Sequence, residues 1–322
     1  MRVSIVTPSF NQAEYLEDTI QSVLAQDYPN LEFIIVDGGS TDGSVEIINK
    51  YTDHLTWWIS ERDRGQADGI NKGLRRARGD IVAWLNSDDI YLPGAIQAAV
   101  DIFDANHGLG MVFGDAISID REGHPLNRLS FGDWGLTELL RFQIICQPAV
   151  FMRRSALEQV GYLDDTFHFM LDHHLWMRIA ARFEIKHAAQ IWAGARYHVL
   201  AKNVAQSEAF ATETYRAVSW LKENPEFSTR FEADRRRILG GANRLAGRYL
   251  LDGGLPGAAL IAYGKAMLYW PSYAIKHWGR MSFAFLNLLG LGKLESWSRR
   301  QLPQMDDPRL ENWPGINLVN GL

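Results

Sequence analysis

At 322 residues the chain is long enough for about two domains, at roughly 100–200 residues each, and for a sizeable core. With 47% hydrophobic and 22% charged residues it is neither disordered nor fibrous. A net charge of −5 supplies no overall basic field for nucleic acid, and the single cysteine, Cys146, excludes an intrachain disulfide and a cysteine-based zinc site and fits a reducing compartment.

No leader peptide is expected, because Met1-Arg2 leads directly into a short apolar run. That run, Val3 to Thr7, is rich in β-branched residues and stops at Pro8, which predicts a strand. Over 13–26, Tyr15, Leu16, Ile20, Val23 and Leu24 share one helical face. Phe33 to Val36 is continuously apolar, as expected of a strand buried on both faces, and it ends in the turn Asp37-Gly38-Gly39-Ser40. A helix over 44–51, a strand over 55–59, a helix over 67–78 and a strand over 81–85 follow. This β-α-β-α-β-α-β order predicts an α/β fold with a mainly parallel, Rossmann-like sheet flanked by helices. Ligands of such sheets bind beyond the carboxyl ends of the strands.

From about residue 94 the pattern loosens. A helix (94–104), a strand (110–114), a hairpin-like stretch around Arg121-Glu122-Gly123 and a helix near 135–142 are predicted. A strand (149–152), helices over 154–160 and 171–182, and one or two strands over 188–200 complete this part. Beyond about 205 strand signals vanish and helical patterns run to about 300, so the domain boundary is placed there, with a helical C-terminal region over 206–322. Residues 242–271 read either as one tetratricopeptide-like hairpin or as a helix pair packed through small residues.

Four polar clusters fall where the early strands end: Thr7 to Asn11, Asp37 to Asp42, Ser60 to Gln66, and Asn86-Ser87-Asp88-Asp89. Any one of them alone reads as a turn or a helix cap. Together they open onto one edge of one sheet. An edge lined with carboxylates, next to a nucleotide-sized crevice, suits a hard divalent ion holding a diphosphate. Asp88 and Asp89 on an extended segment would point to opposite sides.

The ordered motifs Val6-Thr7-Pro8-Ser9-Phe10-Asn11, Ile35-Val36-Asp37-Gly38-Gly39-Ser40-Thr41-Asp42-Gly43 and Gly79 through Asp89 resemble family 2 glycosyltransferases over roughly residues 1–200. The resemblance implies a GT-A fold, with a nucleotide-sugar half of about 1–93 and an acceptor half of about 94–205. It also implies sugar transfer from a nucleotide-sugar donor with inversion at the anomeric carbon. UDP-sugar is the expected donor, and a glycan or lipid-linked acceptor of bacterial surface polysaccharide synthesis the expected acceptor. Thr7, Pro8 and Ser9 would touch the nucleotide largely through their backbone, Asp37 its base or ribose, and Asp63 the base. Asp88 would serve the nucleotide side, and Asp89 would hold Mn²⁺ or Mg²⁺, with Asp88 the second choice. Asn86 stands where many members carry Asp, which leaves it a sugar or ribose donor. His198, after the last predicted strand, is a second candidate metal ligand. The segment Gly65 to Gly73 also resembles a family stretch whose helix start could favour phosphate charge.

Inverting transfer needs a general base on the acceptor hydroxyl. Phe169 to Arg178 resembles the family's base segment, an acid followed by an apolar Leu-Trp helix, which makes Asp172 the expected base. Capping of that helix by Asp172 is compatible with the role. His173 and His174 are adjacent on a helix, about 100° apart, and do not suit one metal. Gln147 before Pro148 and Trp134 in the preceding loop are expected near the acceptor sugar.

Over 265–300 the basic residues are Lys265, Lys276, Arg280, Lys293, Arg299 and Arg300, against the single acid Glu295. Four of the eleven tryptophans, Trp270, Trp278, Trp297 and Trp313, also fall late. A basic, aromatic stretch over 255–300 suits an anionic membrane surface, and no apolar stretch approaches the roughly 20 residues needed to span. The expected location is cytoplasmic and peripheral on the inner face of the cell membrane. A sugar-nucleotide pyrophosphorylase and a non-catalytic sugar-binding module are the competing readings. The first lacks its glycine-rich basic loop, and the acids argue against the second.

Overall fold

The computed structural model describes residues 1–197 and 206–291. The described chain forms two compact units: residues 1–136 with 145–197, and residues 137–144 with the helices from 206 onward. The sequence pattern drew a single cut near 205, whereas the short segment 137–144 groups with the helical unit.

The first unit is built on one nine-stranded sheet. Strands β1 (Val3–Ser9), β2 (Leu31–Asp37), β3 (Trp57–Ser60) and β4 (Ile81–Trp84) lie in the order β3-β2-β1-β4 and are all parallel. Register aligns Ser9 with Asp37 and Asp37 with Ser60, so their carboxyl ends finish level. Helices α1 (Leu16–Leu24), α2 (Ser44–Lys50) and α3 (Gln66–Arg76) make the connections. Leu16, Ile20, Val23 and Ile48 pack with Val3, Ile5, Phe33 and Ile35 on one face. On the other face α3 lies close: a Cβ on Gly73 would stand 2.3 Å from a Val6 methyl. Only glycine allows that approach.

Beyond β4 the sheet becomes mixed. The two-residue β5 (Ile90–Tyr91) precedes α4 (Ala95–Ala105), β6 (Leu109–Ile119) and β7 (Pro125–Leu129). Strand β8 (Val150–Arg153) runs antiparallel between β4 and β6, and β9 (Glu184–Arg196) runs parallel to β6. Helices α6 (Arg154–Val160) and α7 (Leu171–Arg182) follow β8, after a short α5 (Leu136–Leu140). The β4–β8 and β8–β6 registers set Trp84, Val150 and Phe113 at about one level. Trp176 of α7 stacks on Trp84, with centroids 5.1 Å apart, and Ile179 lies over Gly110. Helix α7 therefore runs away from the carboxyl edge of β4 and leaves its first turn, with Asp172, at that edge.

The second unit is helical: α8 (Ser207–Glu223), α9 (Ser228–Ala233), α10 (Arg235–Asp252), α11 (Pro256–Tyr269), α12 (Pro271–Ala274) and α13 (Trp278–Leu288). Helices α10 and α11 form a hairpin in which the Tyr263 ring lies against Gly247. The segment 137–144 is held by hydrogen bonds from Arg244 Nη2 to Phe142 O (2.7 Å) and from Tyr273 Oη to Gln143 Oε1 (3.2 Å), and by the Arg141–Asp234 ion pair. No helix of the described residues is long and apolar enough to cross a membrane.

Candidate active site

The site is the carboxyl edge of the β3-β2-β1-β4 half-sheet. On β1, Thr7 and Ser9 are buried, and neither the Thr7 Oγ1 nor the Ser9 Oγ has a hydrogen-bond partner. Buried hydroxyls without partners cost free energy. Pro8, between them, is also buried. Phe10 next in sequence is 58% exposed and lies beside Gly38. Asn11 takes a left-handed φ of 51° and ties this loop to the next: its Oδ1 accepts from Thr41 N (2.9 Å), and its N donates to Ser40 Oγ (2.8 Å).

Asp37 closes the second loop. Its Oδ2 accepts from Gly39 N (3.0 Å), Ser40 N (2.9 Å) and Ser60 Oγ (2.7 Å), and its Oδ1 accepts from Ser40 Oγ (2.5 Å). The carboxylate is fully buried and holds the loop in shape. Asp63 offers more to a ligand. Its Oδ1 accepts from Gly65 N (2.9 Å), while its Oδ2 faces Gly38 and Gly69, where added Cβ atoms would stand 2.7 and 3.1 Å away. Asp63, Gly38, Gly69 and Phe10 thus form one small cradle. Glu61 is occupied by Lys72 (2.5 Å).

Behind β4, Asn86 is a junction. Its Nδ2 donates to Gln147 Oε1 (2.9 Å) and Asp89 Oδ2 (3.2 Å), and its Oδ1 accepts from Gln66 Nε2 (2.9 Å). Gln147 in turn donates to Trp84 O (2.7 Å). Asn86 thus links Gln147 and Asp89. Asp89 is 6% exposed, and its Oδ1 accepts from Arg196 N (2.9 Å). Burial, reinforced by the charge of Asp88, pushes its carboxyl well above the ordinary range. Asp88 is half-buried. Arg196 locks this turn from behind, donating to Asp88 O (2.9 Å), Arg121 O (2.7 Å) and Asp18 Oδ2 (3.0 Å).

Asp172 is half-buried in the first turn of α7, and its Oδ1 accepts from His173 N (2.6 Å). The Trp84–Trp176 stack brings its helix to the strand that leads into Asn86. Both neighbouring histidines are buried, and His174 stacks on Phe167. Trp134 packs edge-on against Phe131, which meets Phe113. It stands near Asp115 rather than in the Asn86–Gln147 contact. His198 lies outside the described residues.

The sequence reading missed Asp115. It sits one residue past the predicted strand 110–114, the same signal that marked the other loops. Its carboxylate accepts from His187 Nε2 (2.8 Å), Arg128 Nη2 (3.0 Å) and Phe131 N (3.1 Å). Strand alternation puts it on the Trp84 side of the sheet, the side covered by α7. The sequence also missed the part played by Arg196. Among the described residues, the one group of candidate metal ligands close enough to share an ion is Asp120, Glu122 and His124, in the exposed β6–β7 turn. Asp120 and His124 already pair there, at 3.2 Å.

The family model named Glycosyl transferase family 2 matches residues 4–161. This segment belongs to glycosyl transferase family 2. The glycosyltransferase segment contains all four strand-end loops and Gln147; Asp172 lies beyond it. An uncharacterized glycosyltransferase of Rickettsia conorii is 30% identical over 210 residues, 61% of this chain and 34% of its own. One from Nostoc is 31% identical, over 51% of this chain and 54% of its own. Bacillus subtilis TuaG, whose name refers to a glycosyltransferase of teichuronic acid biosynthesis, is 33% identical over 49% of this chain and 64% of its own. The matches thus span about a third to just under two thirds of these relatives. In fold, residues 1–349 of Staphylococcus aureus TarS, solved with UDP-GlcNAc, superpose with a TM-score of 0.59 at 16% identity, covering 94% of this chain and 93% of that one. A mannosyltransferase from Pyrobaculum calidifontis, solved with GDP-Man and Mn²⁺, gives 0.57 at 21% identity, covering 91% and 87%. The glycosyltransferase unit thus has a GT-A-like fold, with its sheet parallel in the first half and mixed in the second.

Proposed function

We propose that the protein transfers a sugar from a nucleotide-sugar donor to a glycan or lipid-linked acceptor in bacterial surface polysaccharide synthesis, with inversion, working peripherally at the inner membrane face. The observation that carries this reading is the convergence of four strand-end loops on one sheet edge, with the Asp63 carboxylate facing Gly38 and Gly69 beside Phe10. UDP is the favoured nucleotide. The cradle of Phe10, Gly38, Asp63 and Gly69 takes the base: the ring offers a stacking face and the carboxylate an acceptor for a base N–H. Thr7, Pro8 and Ser9 meet the nucleotide largely through their backbone. Asp37 acts by shaping the loop that meets the ribose, since its oxygens already accept from Gly39, Ser40 and Ser60.

An oxygen donor set at this edge fits Mn²⁺ or Mg²⁺, which would neutralise charge on the departing diphosphate. Asp89 is a poor direct ligand as arranged, because Arg196 N and Asn86 Nδ2 each occupy one of its oxygens. We therefore give the ion to the half-buried Asp88 and make Asp89 the anchor of the turn, the reverse of the sequence expectation. Asn86 and Gln147 orient each other toward the transferred sugar. Trp134 offers a stacking face farther out, on the acceptor side.

In the transfer, Asp172 accepts the proton of the acceptor hydroxyl as that oxygen bonds to the anomeric carbon. The bond from that carbon to the diphosphate breaks, and the nucleoside diphosphate leaves. A positioned base contributes roughly 10²–10⁴-fold. A panel of nucleotide sugars, assayed for transfer and for donor hydrolysis with Mn²⁺ or Mg²⁺, tests the scheme. Asp172→Ala is expected to bind donor normally and to lose transfer by about that factor. Asp88→Ala should abolish metal-dependent donor binding, and Asp89→Asn should retain it. Wild-type transfer rates in Asp172→Ala would refute the base assignment.

A further inference from the structure

Helices α11 and α13 reverse the usual pattern of burial. Their inward residues are mostly small: Ala259, Ala262, Ala266 and Ala284, with Tyr263. Their outward residues include several large apolar ones. On α11, Ile261 and Leu268 stand 64% and 75% exposed, seven residues apart on one stripe, with Lys265 between them. On α13, Trp278, Ser282, Phe285 and Leu289 form a second outward stripe at i, i+4, i+7 and i+11. Among the described residues, ten of the fourteen large exposed hydrophobic side chains lie within 255–291. Soluble surfaces rarely gather apolar side chains so densely without a partner.

Charge narrows the partner. Residues 253–291 contain no aspartate or glutamate, while Lys265 and Lys276 stand exposed among the apolar groups and Arg280 lies at their margin. Arg280 pairs with Asp252, just before this stretch (2.9 Å). A surface that joins outward Trp, Phe and Leu to lysines, with no acid among them, matches a layer of anionic headgroups above acyl chains. No described helix is long and apolar enough to cross a membrane, so the contact would lie in the interface plane.

We propose that the α11–α13 surface seats the protein on an anionic lipid bilayer, with Trp278, Phe285 and Leu289 entering the acyl boundary and Lys265 and Lys276 meeting the headgroups. This assigns a surface and a lipid charge class to the peripheral location proposed above, and it does not depend on the sugar chemistry. The test is co-sedimentation of the full chain with vesicles of phosphatidylcholine alone, or of phosphatidylcholine and phosphatidylglycerol in equal parts. Wild type should sediment with the mixed vesicles and not with the neutral ones, and high salt should weaken binding. The triple variant Trp278→Ser, Phe285→Ser, Leu289→Ser should lose vesicle binding by at least about tenfold. The double variant Lys265→Glu, Lys276→Glu should lose the preference for anionic lipid. Leu126→Ser, which removes an exposed leucine elsewhere, should bind as wild type. Circular dichroism confirms that each variant is folded. Failure of wild type to sediment with mixed vesicles, triple-variant binding at the wild-type level, or a stable wild-type dimer that only the triple variant dissociates would each overturn the proposal. Donor hydrolysis measured in solution on the same proteins separates the readings: its absence counts against the transferase and leaves the lipid surface standing.

Discussion

Asp115 shows how one buried carboxylate can be settled by its neighbours. Burial pushes its carboxyl up, but the hydrogen bonds from Arg128, Phe131 N–H and His187 outweigh that cost, and the net shift is downward. A depressed carboxyl stabilises the fold above its unfolded value and loses that contribution as pH falls through its folded value. The wild-type protein is therefore expected to keep its stability advantage over Asp115→Asn down to about pH 5 and to lose it progressively at lower pH, as the lowered carboxyl is protonated. Urea titrations of both proteins at a series of pH values read this directly. A constant difference across the series would show that Asp115 is not held down. Asp89 is opposite in sign, raised mainly by burial, and this contrast was invisible in sequence. In sequence Asp89 read as a metal ligand, and Asp115 was passed over. What distinguishes them is their donors: Arg128, Phe131 N–H and His187 for Asp115, against Arg196 N–H and the nearby Asn86 for Asp89.

At the level of elements, helices and strands that bury a continuous or periodic apolar face were legible. The strands at Val3, Phe33 and Ile81 and the helices over 154–160 and 171–182 were read close to their observed bounds. The two-residue β5 was not, because so short a segment has no period. The antiparallel insertion of β8 between β4 and β6 was not legible either, since strand order depends on long-range pairing. Close packing of α3 on the sheet is another feature set by contact, and it concentrates at Gly73. Ala at this position would drive a methyl into Val6, 2.3 Å away. Overpacking of this kind costs about 1–3 kcal/mol, offset only slightly by the better helix propensity of alanine. Gly73→Ala should accordingly melt several degrees lower. Because Val6 precedes Thr7, the variant should also bind nucleotide more weakly. An unchanged melting temperature would mean that β1 and α3 can separate freely at this point.

For the molecule as a whole, the consequential feature is the segment 137–144, which belongs to the helical unit although sheet segments flank it in sequence. Composition located the change of character near 205, because strand signals end there, but no local pattern could reveal that Leu139, Leu140 and Phe142 are buried. Within the helical unit Gly241 faces the carbonyl oxygen of Arg141 so closely that an added Cβ would stand 1.9 Å away, and the Arg244 guanidinium caps Phe142 O. A chain ended at residue 205 would keep 137–144 and lose every one of these partners. It would expose the apolar side chains and leave the Arg141 and Gln143 side chains and the Phe142 carbonyl without their present contacts. Losses of buried contacts at this scale commonly amount to several kcal/mol. The fragment 1–205 is therefore expected to melt at lower temperature than the full chain, and to be cleaved first within 137–144 under limited proteolysis. Melting at the full-length temperature, with 137–144 protected, would show that the sheet unit holds this segment unaided. In that case the helices from 206 onward contribute nothing to the stability of the sheet unit.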